Sequence, residues 1–191
     1  MQFMKTFIKI FFCNFLYHVK YNNLEILQKA DKCLICPNHS NIFDPTFIYP
    51  VADNLYIMAK ADIFKNRLIA KFLKHYNVFP VVREKTDVKS MITSLEIFKG
   101  TENKKLLMFP EGKVIKEDTE IKKSFRKGAV YIAANANVPI IPVYISRRPK
   151  FFSKVIVTFG NPIFINKDSL DSKQKILDES KKLIDTIYNL S

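Results

Sequence analysis

The sequence predicts an α/β fold with a mainly parallel sheet flanked by helices, preceded by an N-terminal interfacial amphipathic helix. Two patterns favour this fold: apolar, β-prone runs alternate with segments of helical periodicity, and turn residues bound these runs. Strands that alternate with helices usually form a parallel sheet that is buried on both faces. The 191 residues, 48% of them hydrophobic, suffice for one packed domain, which we expect over residues 23–191.

The predicted strands are short runs rich in β-branched and other apolar residues. The first run ends at Pro37, which marks the beginning of a turn. Helical segments separate most of the runs, and this favours parallel pairing. The expected strands are 33–36, 54–59, 78–82, 105–109, 138–146 and 154–159.

Four later segments are expected to form helices, because they combine apolar periodicity with residues that begin or end helices. Thr86 and Ser124 can each cap a helix N-terminus, and Gly100 is expected to end the helix that begins at Thr86. The expected helices are 67–76, 86–99, 124–135 and a final helix that opens at Asp168.

The N-terminal segment is aromatic and basic, with no acidic residue before Glu25. The uncharged run between Lys9 and Lys20 is too short to span a bilayer. On a helical wheel, the side opposite the lysines carries Phe3, Met4, Phe7, Ile8, Phe11 and Phe15. We therefore expect residues 1–22 to form a helix that lies at a membrane surface. The alternative is a helix packed on the protein's own core.

The chain is strongly basic, with 31 Lys and Arg against 18 Asp and Glu, a net charge of +13. This surplus favours an anionic partner, either nucleic acid or a membrane phospholipid surface, unless it only reflects a lysine-rich composition. The basic residues are spread along the whole chain, without a recognition helix or aromatic stacking motif. That distribution makes a nucleic-acid partner unlikely.

The three cysteines do not form a disulfide framework, because their number is odd and the chain is not a small scaffold. They fit a reducing compartment. Cys33 and Cys36 have the spacing of a metal-binding pair, but residues three apart on a strand point to opposite faces. We expect buried structural thiols and no metal site.

A histidine and an aspartate five positions apart follow the first predicted strand. His39 lies just past Pro37, and Pro45 favours a helix start with Asp44 as the N-cap. The intervening residues therefore form a turn, which can fold Asp44 back against His39. A carboxylate on one imidazole nitrogen leaves the other nitrogen free to accept a proton, as a general base requires. The alternative is a loop histidine beside a residue that only caps the helix.

Three further stretches carry polar residues at strand ends or prolines around an apolar run. Arg83 follows the predicted strand 78–82, and its forked guanidinium suits a phosphate group. Glu111 and Gly112 directly follow Phe109 and Pro110 at the end of another strand. The third stretch, 138–143, is an apolar run bounded by prolines. Each stretch is weak evidence when it stands alone.

Taken in order, these stretches resemble the glycerolipid acyltransferase family, most closely the 1-acylglycerol-3-phosphate (lysophosphatidate) acyltransferases. The family has an N-H-x4-D block, a block ending in an arginine, an F-P-E-G block and a V-P-I-x-P-V block. Here the four blocks are Asn38-His39…Asp44, Phe79-Pro80…Arg83, Phe109-Pro110-Glu111-Gly112 and 138–143. Lys60 resembles the lysine that opens the second block, and 125–129 resembles the basic segment after the third.

The resemblance implies a role for each matched residue. His39 would be the base that activates the acceptor hydroxyl, with Asp44 orienting it. Arg83, together with Lys60, would hold the acceptor phosphate, and Glu111 and Gly112 would shape the acceptor site around the glycerol. The family usually has Thr-Arg after the F-P-E-G block, whereas this chain has Lys113 and Val114. The missing charge would come from Lys113, Lys127 or Arg126.

The implied activity is transfer of a fatty acyl group to the sn-2 hydroxyl of 1-acyl-sn-glycerol 3-phosphate, which gives phosphatidate. The donor would be a thioester of coenzyme A or acyl carrier protein, with no bound cofactor. The protein would act as a peripheral protein on the cytoplasmic face of the cell membrane. Alternative functions are acylation of another lysophospholipid or of glycerol 3-phosphate. A third is non-enzymatic binding of membranes or nucleic acid.

Overall fold

The computed structural model describes residues 2–82, 87–123 and 125–191, and within these residues seven strands form one sheet. The strand order is β1-β7-β6-β2-β5-β3-β4, and every neighbouring pair is parallel except β6 and β7. The strands are β1 His18–Asn22, β2 Cys33–Pro37, β3 Leu55–Lys60, β4 Val78–Val81, β5 Lys105–Leu107, β6 Ile140–Ile145 and β7 Lys154–Phe159. The predicted fold class, a mainly parallel sheet flanked by helices, is confirmed.

Helices cover both faces of the sheet. The N-terminal helix begins as α1 and continues without a break as a π-helical segment, Lys9–Leu16. Short 3-10 turns occur at Tyr49–Val51, Ala61–Lys65, Asp118–Lys123 and Lys167–Leu170. The α-helices are α1 Gln2–Ile8, α2 Leu24–Lys29, α3 Asp44–Ile48, α4 Arg67–His75, α5 Val88–Ile97, α6 Gly128–Ala136 and α7 Lys173–Tyr188.

The two faces of the sheet have separate apolar cores. The first core lies under α1, the π-helical segment and α2–α4, and contains Cys33 and Ile35 of β2. The second core lies under α5–α7 and contains Leu34 and Cys36 of the same strand. Each fully buried leucine or isoleucine side chain contributes about 1.5–3 kcal/mol from burial. Cys33 and Cys36 therefore lie on opposite faces as buried thiols, as the sequence predicted.

The first strand was missed by the sequence analysis, which expected residues 1–22 to be helical throughout. The helix instead ends at Leu16, and His18–Asn22 pairs in parallel with β7 at one edge of the sheet. Val19 and Tyr21 are half-buried, whereas their polar neighbours are exposed. This period-two pattern is typical of an edge strand, and it was obscured by the helical pattern that precedes it.

Helix boundaries differ from the predicted ones where a different polar residue supplies the cap. Asp87 caps α5, because its carboxylate accepts the Ser90 N–H, and the expected cap Thr86 lies outside the described residues. Ser124 also lies outside the described residues, and α6 begins at Gly128. The last helix begins after Ser172, whose hydroxyl accepts the Lys175 N–H. In the described part of the chain, no helix combines the length and apolar character needed to cross a membrane.

Candidate active site

The turn after β2 brings the two residues of the N-H-x4-D block together. His39 Nδ1 lies 2.9 Å from Asp44 Oδ2, and the same oxygen accepts the main-chain N–H groups of Ser40 at 2.8 Å and Asn41 at 2.9 Å. The predicted folding of Asp44 back onto His39 is confirmed. Asp44 does not serve as the N-cap, because its carboxylate stabilises the preceding turn and α3 begins at Asp44 itself.

This geometry determines which imidazole nitrogen is basic. A carboxylate oxygen accepts hydrogen bonds, so Nδ1 of His39 carries the proton and Nε2 has the free lone pair. Asp44 is fully buried, and the His39 ring stacks on the Phe109 ring with 3.9 Å between centroids. The ring is therefore held in one orientation by its carboxylate partner and by an aromatic neighbour.

The main chain of the turn is also anchored to neighbouring strands. Asn38 is fully buried, and its amide donates to the Ile145 carbonyl at 3.0 Å and accepts the Ile145 N–H at 2.7 Å. The carbonyl of His39 accepts the N–H of Ile115 at 2.7 Å. The sequence analysis assigned no role to Asn38 beyond its place in the block. The structure shows that it joins the turn to the end of β6.

Residues 39–44 form the candidate catalytic turn, and Glu111 lies directly behind it. Its Oε2 accepts the main-chain N–H of His39 at 2.7 Å, and its Oε1 accepts the hydroxyl of Tyr188 from the last turn of α7. The side chain is only 1% exposed. Both carboxylate oxygens bond within the protein, and the bond to His39 holds the backbone of that residue in place. That Glu111 also shapes the acceptor site stays a prediction.

Burial raises the pKa of Glu111 from its usual 4.5 to about 7. The hydrogen bonds from Tyr188 and His39 and the nearby charge of Arg147 act in the opposite direction, whereas Asp44 raises the pKa further. The carboxyl group thus changes its charge near neutral pH. Tyr188 had no motif signal in the sequence, since it contacts a residue 77 positions away.

Gly112 has a positive φ of 72°, which a side chain would strain. A Cβ atom there would lie 2.8 Å from Cγ and 3.0 Å from Nε of Arg126. The glycine therefore allows the Arg126 side chain to lie across the turn that follows β5. This places Arg126, one of the candidates for the missing family charge, beside the Glu111–Gly112 turn.

The other basic candidates differ in their contacts and in whether they line a cavity. Lys60 ends β3 and pairs with Asp62, while Lys113 pairs with Glu120. Both lysine side chains are about half exposed. Arg83, the main phosphate-binding candidate, lies outside the described residues. Among the basic candidates that the structure describes, Arg126 and Lys127 line a cavity, and Lys60 and Lys113 do not.

That cavity has a volume of about 570 Å³, and it lies between the sheet and helices α5 and α6. Most of its wall is apolar, including Met58, Met91, Met108 and Ile132. Phe109 belongs both to this wall and to the stack on His39. The volume is within the usual range for ligand pockets, about 300–1,000 Å³. An apolar cavity therefore adjoins the ring that packs on the candidate base.

The described residues contain no group of three or more His, Cys, Asp and Glu side chains arranged to hold a metal ion. All three cysteines are free and buried. Burial raises the pKa of the Cys33 and Cys36 thiols. Such thiols are poor nucleophiles and poor ligands.

Comparisons with known proteins are consistent with this site. Residues 18–146, which include His39, Asp44 and Glu111, match the family model described as Acyltransferase. The chain is 35% identical over 128 residues to a 1-acyl-sn-glycerol-3-phosphate acyltransferase of Bacillus subtilis (strain 168), covering 65% of this chain and 60% of that protein. It is 28% identical over 160 residues to one of Streptococcus pneumoniae (strain ATCC BAA-255 / R6), covering 76% of this chain and 56% of that protein. The chain thus spans little more than half the length of these relatives.

A solved structure has the same fold. It is that of the 1-acyl-sn-glycerophosphate (LPA) acyltransferase PlsC from Thermotoga maritima, with a TM-score of 0.70 and 19% sequence identity. The similarity covers 98% of this chain and 79% of that one. Tyr188 lies beyond the matched family region, whereas the histidine–aspartate turn and its glutamate lie inside it. Because the family model matches residues 18–146, most of the chain, the protein belongs to the acyltransferase family.

Proposed function

We propose that this protein is an O-acyltransferase that acylates the sn-2 hydroxyl of 1-acyl-sn-glycerol 3-phosphate and produces phosphatidate. The observation that carries this proposal is the buried His39–Asp44 pair, with its 2.9 Å contact, in a chain of the acyltransferase family. The names of the Bacillus and Streptococcus relatives support the choice of acceptor. The donor is an acyl thioester of coenzyme A or of acyl carrier protein.

The proposed chemistry is direct transfer without a covalent acyl-enzyme. His39 Nε2 takes the proton from the acceptor hydroxyl as its oxygen attacks the thioester carbonyl. The attack forms the new C–O bond and gives a tetrahedral intermediate, and the C–S bond breaks when this intermediate collapses. The imidazolium then returns its proton to the departing thiolate. Asp44 stabilises the imidazolium and keeps the ring in the required tautomer.

The acceptor phosphate is proposed to bind Arg83 and Lys60 at the carboxyl end of the sheet, where open α/β sheets usually bind ligands. Lys60 ends β3, and Arg83 follows β4 by two positions. Lys113 and Arg126 are further candidates for the charge near the phosphate. The apolar cavity beside Phe109 has a lining that suits a fatty acyl chain.

The acceptor assignment is tested through Arg83. We expect Arg83→Ala to raise the KM for lysophosphatidate more than the KM for the acyl donor, because a guanidinium binds phosphate through two hydrogen bonds. Arg83→Lys should restore the acceptor KM only in part, since lysine is a point charge. Steady-state kinetics with each substrate varied in turn measure both constants. Equal effects on the two substrates would remove Arg83 from the acceptor site.

The overall function is tested by supplying purified protein with labelled acyl-CoA or acyl carrier protein and a panel of acceptors. The panel contains lysophosphatidate, glycerol 3-phosphate and other lysophospholipids, and His39→Ala is the control. Labelled phosphatidate from lysophosphatidate alone is the expected product. A faster reaction with another acceptor would replace the proposed substrate. Folded protein that transfers no acyl group to any acceptor would overturn the proposal.

We also propose that the protein is peripheral on the cytoplasmic face of the membrane, held by its N-terminal helix. The exposed side of this helix carries an aromatic strip, which we define as Phe3, Phe7, Phe11, Phe15 and the nearby Phe152. Ring centroids along most of this strip are about 6 Å apart, from Phe7 to Phe11 at 5.6 Å, Phe11 to Phe15 at 6.1 Å and Phe15 to Phe152 at 6.0 Å.

The polar side of the same helix supports this orientation. Lys5 is buried, and its ammonium donates to the Ala52 carbonyl at 2.8 Å and to Asp53 at 2.6 Å. Cys13 is also buried. Lys5 and Cys13 therefore face the protein, while the phenylalanines of the aromatic strip face outward. Exposed aromatic rings beside basic residues suit the headgroup region of a bilayer.

A further inference from the structure

Helix α4 exposes its apolar side instead of burying it. Leu68 is 80% exposed, Phe72 52% and Ile69 46%. Ala70 and Leu73 are partly buried, and none of the nine residues of α4, all of which the structure describes, is fully buried. An amphipathic helix on a globular domain normally turns its apolar side to the core. Packing within the protein therefore does not account for the sequence of α4.

The charges on α4 are all of one sign. Arg67, Lys71 and Lys74 are exposed, and the helix contains no acidic residue. The 3-10 turn before it adds Lys65, which pairs with Asp62 at 2.8 Å. Exposed apolar residues bordered by cations are the composition of a helix that lies on an anionic bilayer.

Helix α4 lies on the same side of the sheet as the aromatic strip. Met4, Ile8 and Leu16 of the N-terminal helix pack against the first core, and so do Leu73 and Tyr76 at the end of α4. Both elements thus cover one face of the sheet and expose apolar side chains away from it. The apolar surface of the molecule on this side is therefore carried by two separate elements.

The exposed apolar residues also extend to the carboxyl end of the sheet. Ile42 is 74% exposed and belongs to the turn between His39 and Asp44. Ile63 is exposed and follows the end of β3, just before α4. A membrane in contact with α4 would therefore lie next to the catalytic turn, where a lipid acceptor has to enter.

We propose that the α4 surface, defined as Leu68, Ile69, Phe72, Arg67 and Lys71, is a second membrane-binding site that docks on an anionic phospholipid leaflet. Together with the aromatic strip, it fixes how the catalytic turn faces the headgroups. The aromatic strip is exposed on the same face of the sheet, and this favours an anionic lipid surface over an acidic protein partner. The inference rests on the proposed function only for the identity of the acceptor, because membrane binding is measured independently of catalysis.

The chain contains no tryptophan, so a single new indole can report on α4. Phe72→Trp in the full chain is mixed with vesicles of equal parts phosphatidylcholine and phosphatidylglycerol. We expect a blue shift of its emission and quenching by brominated lipid, with much weaker effects on pure phosphatidylcholine. An emission spectrum that vesicles leave unchanged, although the protein sediments with them, would overturn the proposal.

A second variant measures the contribution of α4 to binding. Leu68→Gln with Phe72→Gln keeps good helix formers but removes the apolar side. We expect the dissociation constant for the mixed vesicles to rise about tenfold or more. The matched control is Val88→Gln with Ile92→Gln, which removes two exposed apolar side chains from α5 on the opposite face of the sheet. Similar losses in both variants would contradict a specific site on α4.

Activity separates this inference from the proposed function. The α4 variant should keep its turnover of a short-chain, water-soluble acceptor and lose turnover of vesicle-borne acceptor. If the wild-type protein turns over no acceptor but Phe72→Trp still shifts on vesicles, the proposed function fails and the α4 site stands. If the variant binds vesicles normally but loses transfer from acyl carrier protein, α4 docks an acidic protein and the inference is wrong.

Discussion

Asp44 Oδ2 accepts three hydrogen bonds, so one oxygen determines both the shape of the turn and the tautomer of His39. Loss of the His39 or the Asp44 side chain should therefore lower kcat more than it weakens substrate binding. The N–H groups of Ser40 and Asn41 need an acceptor at that position. A carboxylate meets this need and also leaves Nδ1 of His39 as the donor.

We expect His39→Ala to lower kcat by about 10²–10⁴ with little change in the acceptor KM, because a base is needed for proton removal from an alcohol. Asp44→Asn should also be severe, since its amide nitrogen favours the wrong tautomer of His39. Initial rates and far-ultraviolet circular dichroism of each purified variant test this. A His39→Ala protein with near-normal turnover would disprove the base mechanism.

The titration of Glu111 should be visible in stability. Its pKa is about 7 in the folded protein against a usual 4.5, so the folded state holds the proton more tightly than the unfolded chain. The protonated Glu111 carboxyl group therefore adds to the free energy of unfolding. This stabilisation is complete below about pH 4.5 and is lost as pH rises through about 7.

Glu111→Gln removes this titration, because an amide does not ionise. Between about pH 4.5 and about pH 8, we expect the wild-type protein to lose up to about 3 kcal/mol of unfolding free energy relative to the variant. Denaturant unfolding of both proteins at the two pH values measures the difference. The same difference at both pH values would show that Glu111 does not titrate in this range.

Among the secondary-structure elements, the N-terminal helix has two roles: it packs on the core and it exposes the aromatic strip. Its helical periodicity alone did not show that it has both. Its inward side packs on the first core through Met4, Ile8 and Cys13, and its outward side carries the aromatic strip. Tyr17 is buried and β1 follows directly. Deleting the segment would therefore damage the sheet edge as well as remove a membrane anchor, so substitutions at exposed positions give the cleaner test.

We expect Phe3→Gln with Phe15→Gln to weaken sedimentation with anionic vesicles by about tenfold or more while leaving thermal stability nearly unchanged. Both side chains are exposed, so they add little to the core. Raised salt should weaken the wild-type binding only in part, because ions screen the basic residues but not the apolar contacts. Vesicle binding equal to that of the Val88→Gln, Ile92→Gln control would place the anchor elsewhere.

At the scale of the whole molecule, the catalytic turn depends on a residue from the end of the chain. Helix α7 packs on the second core through Leu183, Ile184 and Ile187, and this brings Tyr188 to Glu111. The charged and titratable groups that act on Glu111 include Asp44 from α3, Arg147 after β6 and Tyr188. The position of His39 thus depends on Glu111 after β5 and, through it, on Tyr188 in α7.

We expect Tyr188→Phe to lower kcat by about tenfold and to leave the substrate KM values nearly unchanged. The hydroxyl lowers the pKa of Glu111, so its loss should raise this pKa and move the pH profile of stability to higher pH. Tyr56→Phe, on β3 near Lys104, is the control for general loss of a tyrosine hydroxyl. An unchanged pH profile in Tyr188→Phe would limit Tyr188 to a packing role.

Features that depend on local sequence pattern could be predicted before the structure was known. Six of the seven strands of the described sheet follow from short apolar runs, because such runs gain most by burial on both faces. The contact between His39 and Asp44 follows from Pro37 and Pro45, which flank this segment and favour a turn there. These features could be predicted because the residues that cause them lie within a few positions of each other.

Features that depend on contacts between distant parts of the chain could not be predicted from local pattern and became visible only in the folded protein. Glu111 binds behind His39 because β5 lies beside β2, and Tyr188 reaches Glu111 because α7 packs on the second core. The aromatic strip faces outward on the side of the helix opposite Lys5, whose ammonium binds Asp53. A helical wheel shows only one helix, so it cannot predict this contact with a residue 48 positions away. Such contacts depend on how the sheet and helices pack together. Packing joins residues that are far apart in the sequence, whereas periodicity describes only one segment at a time.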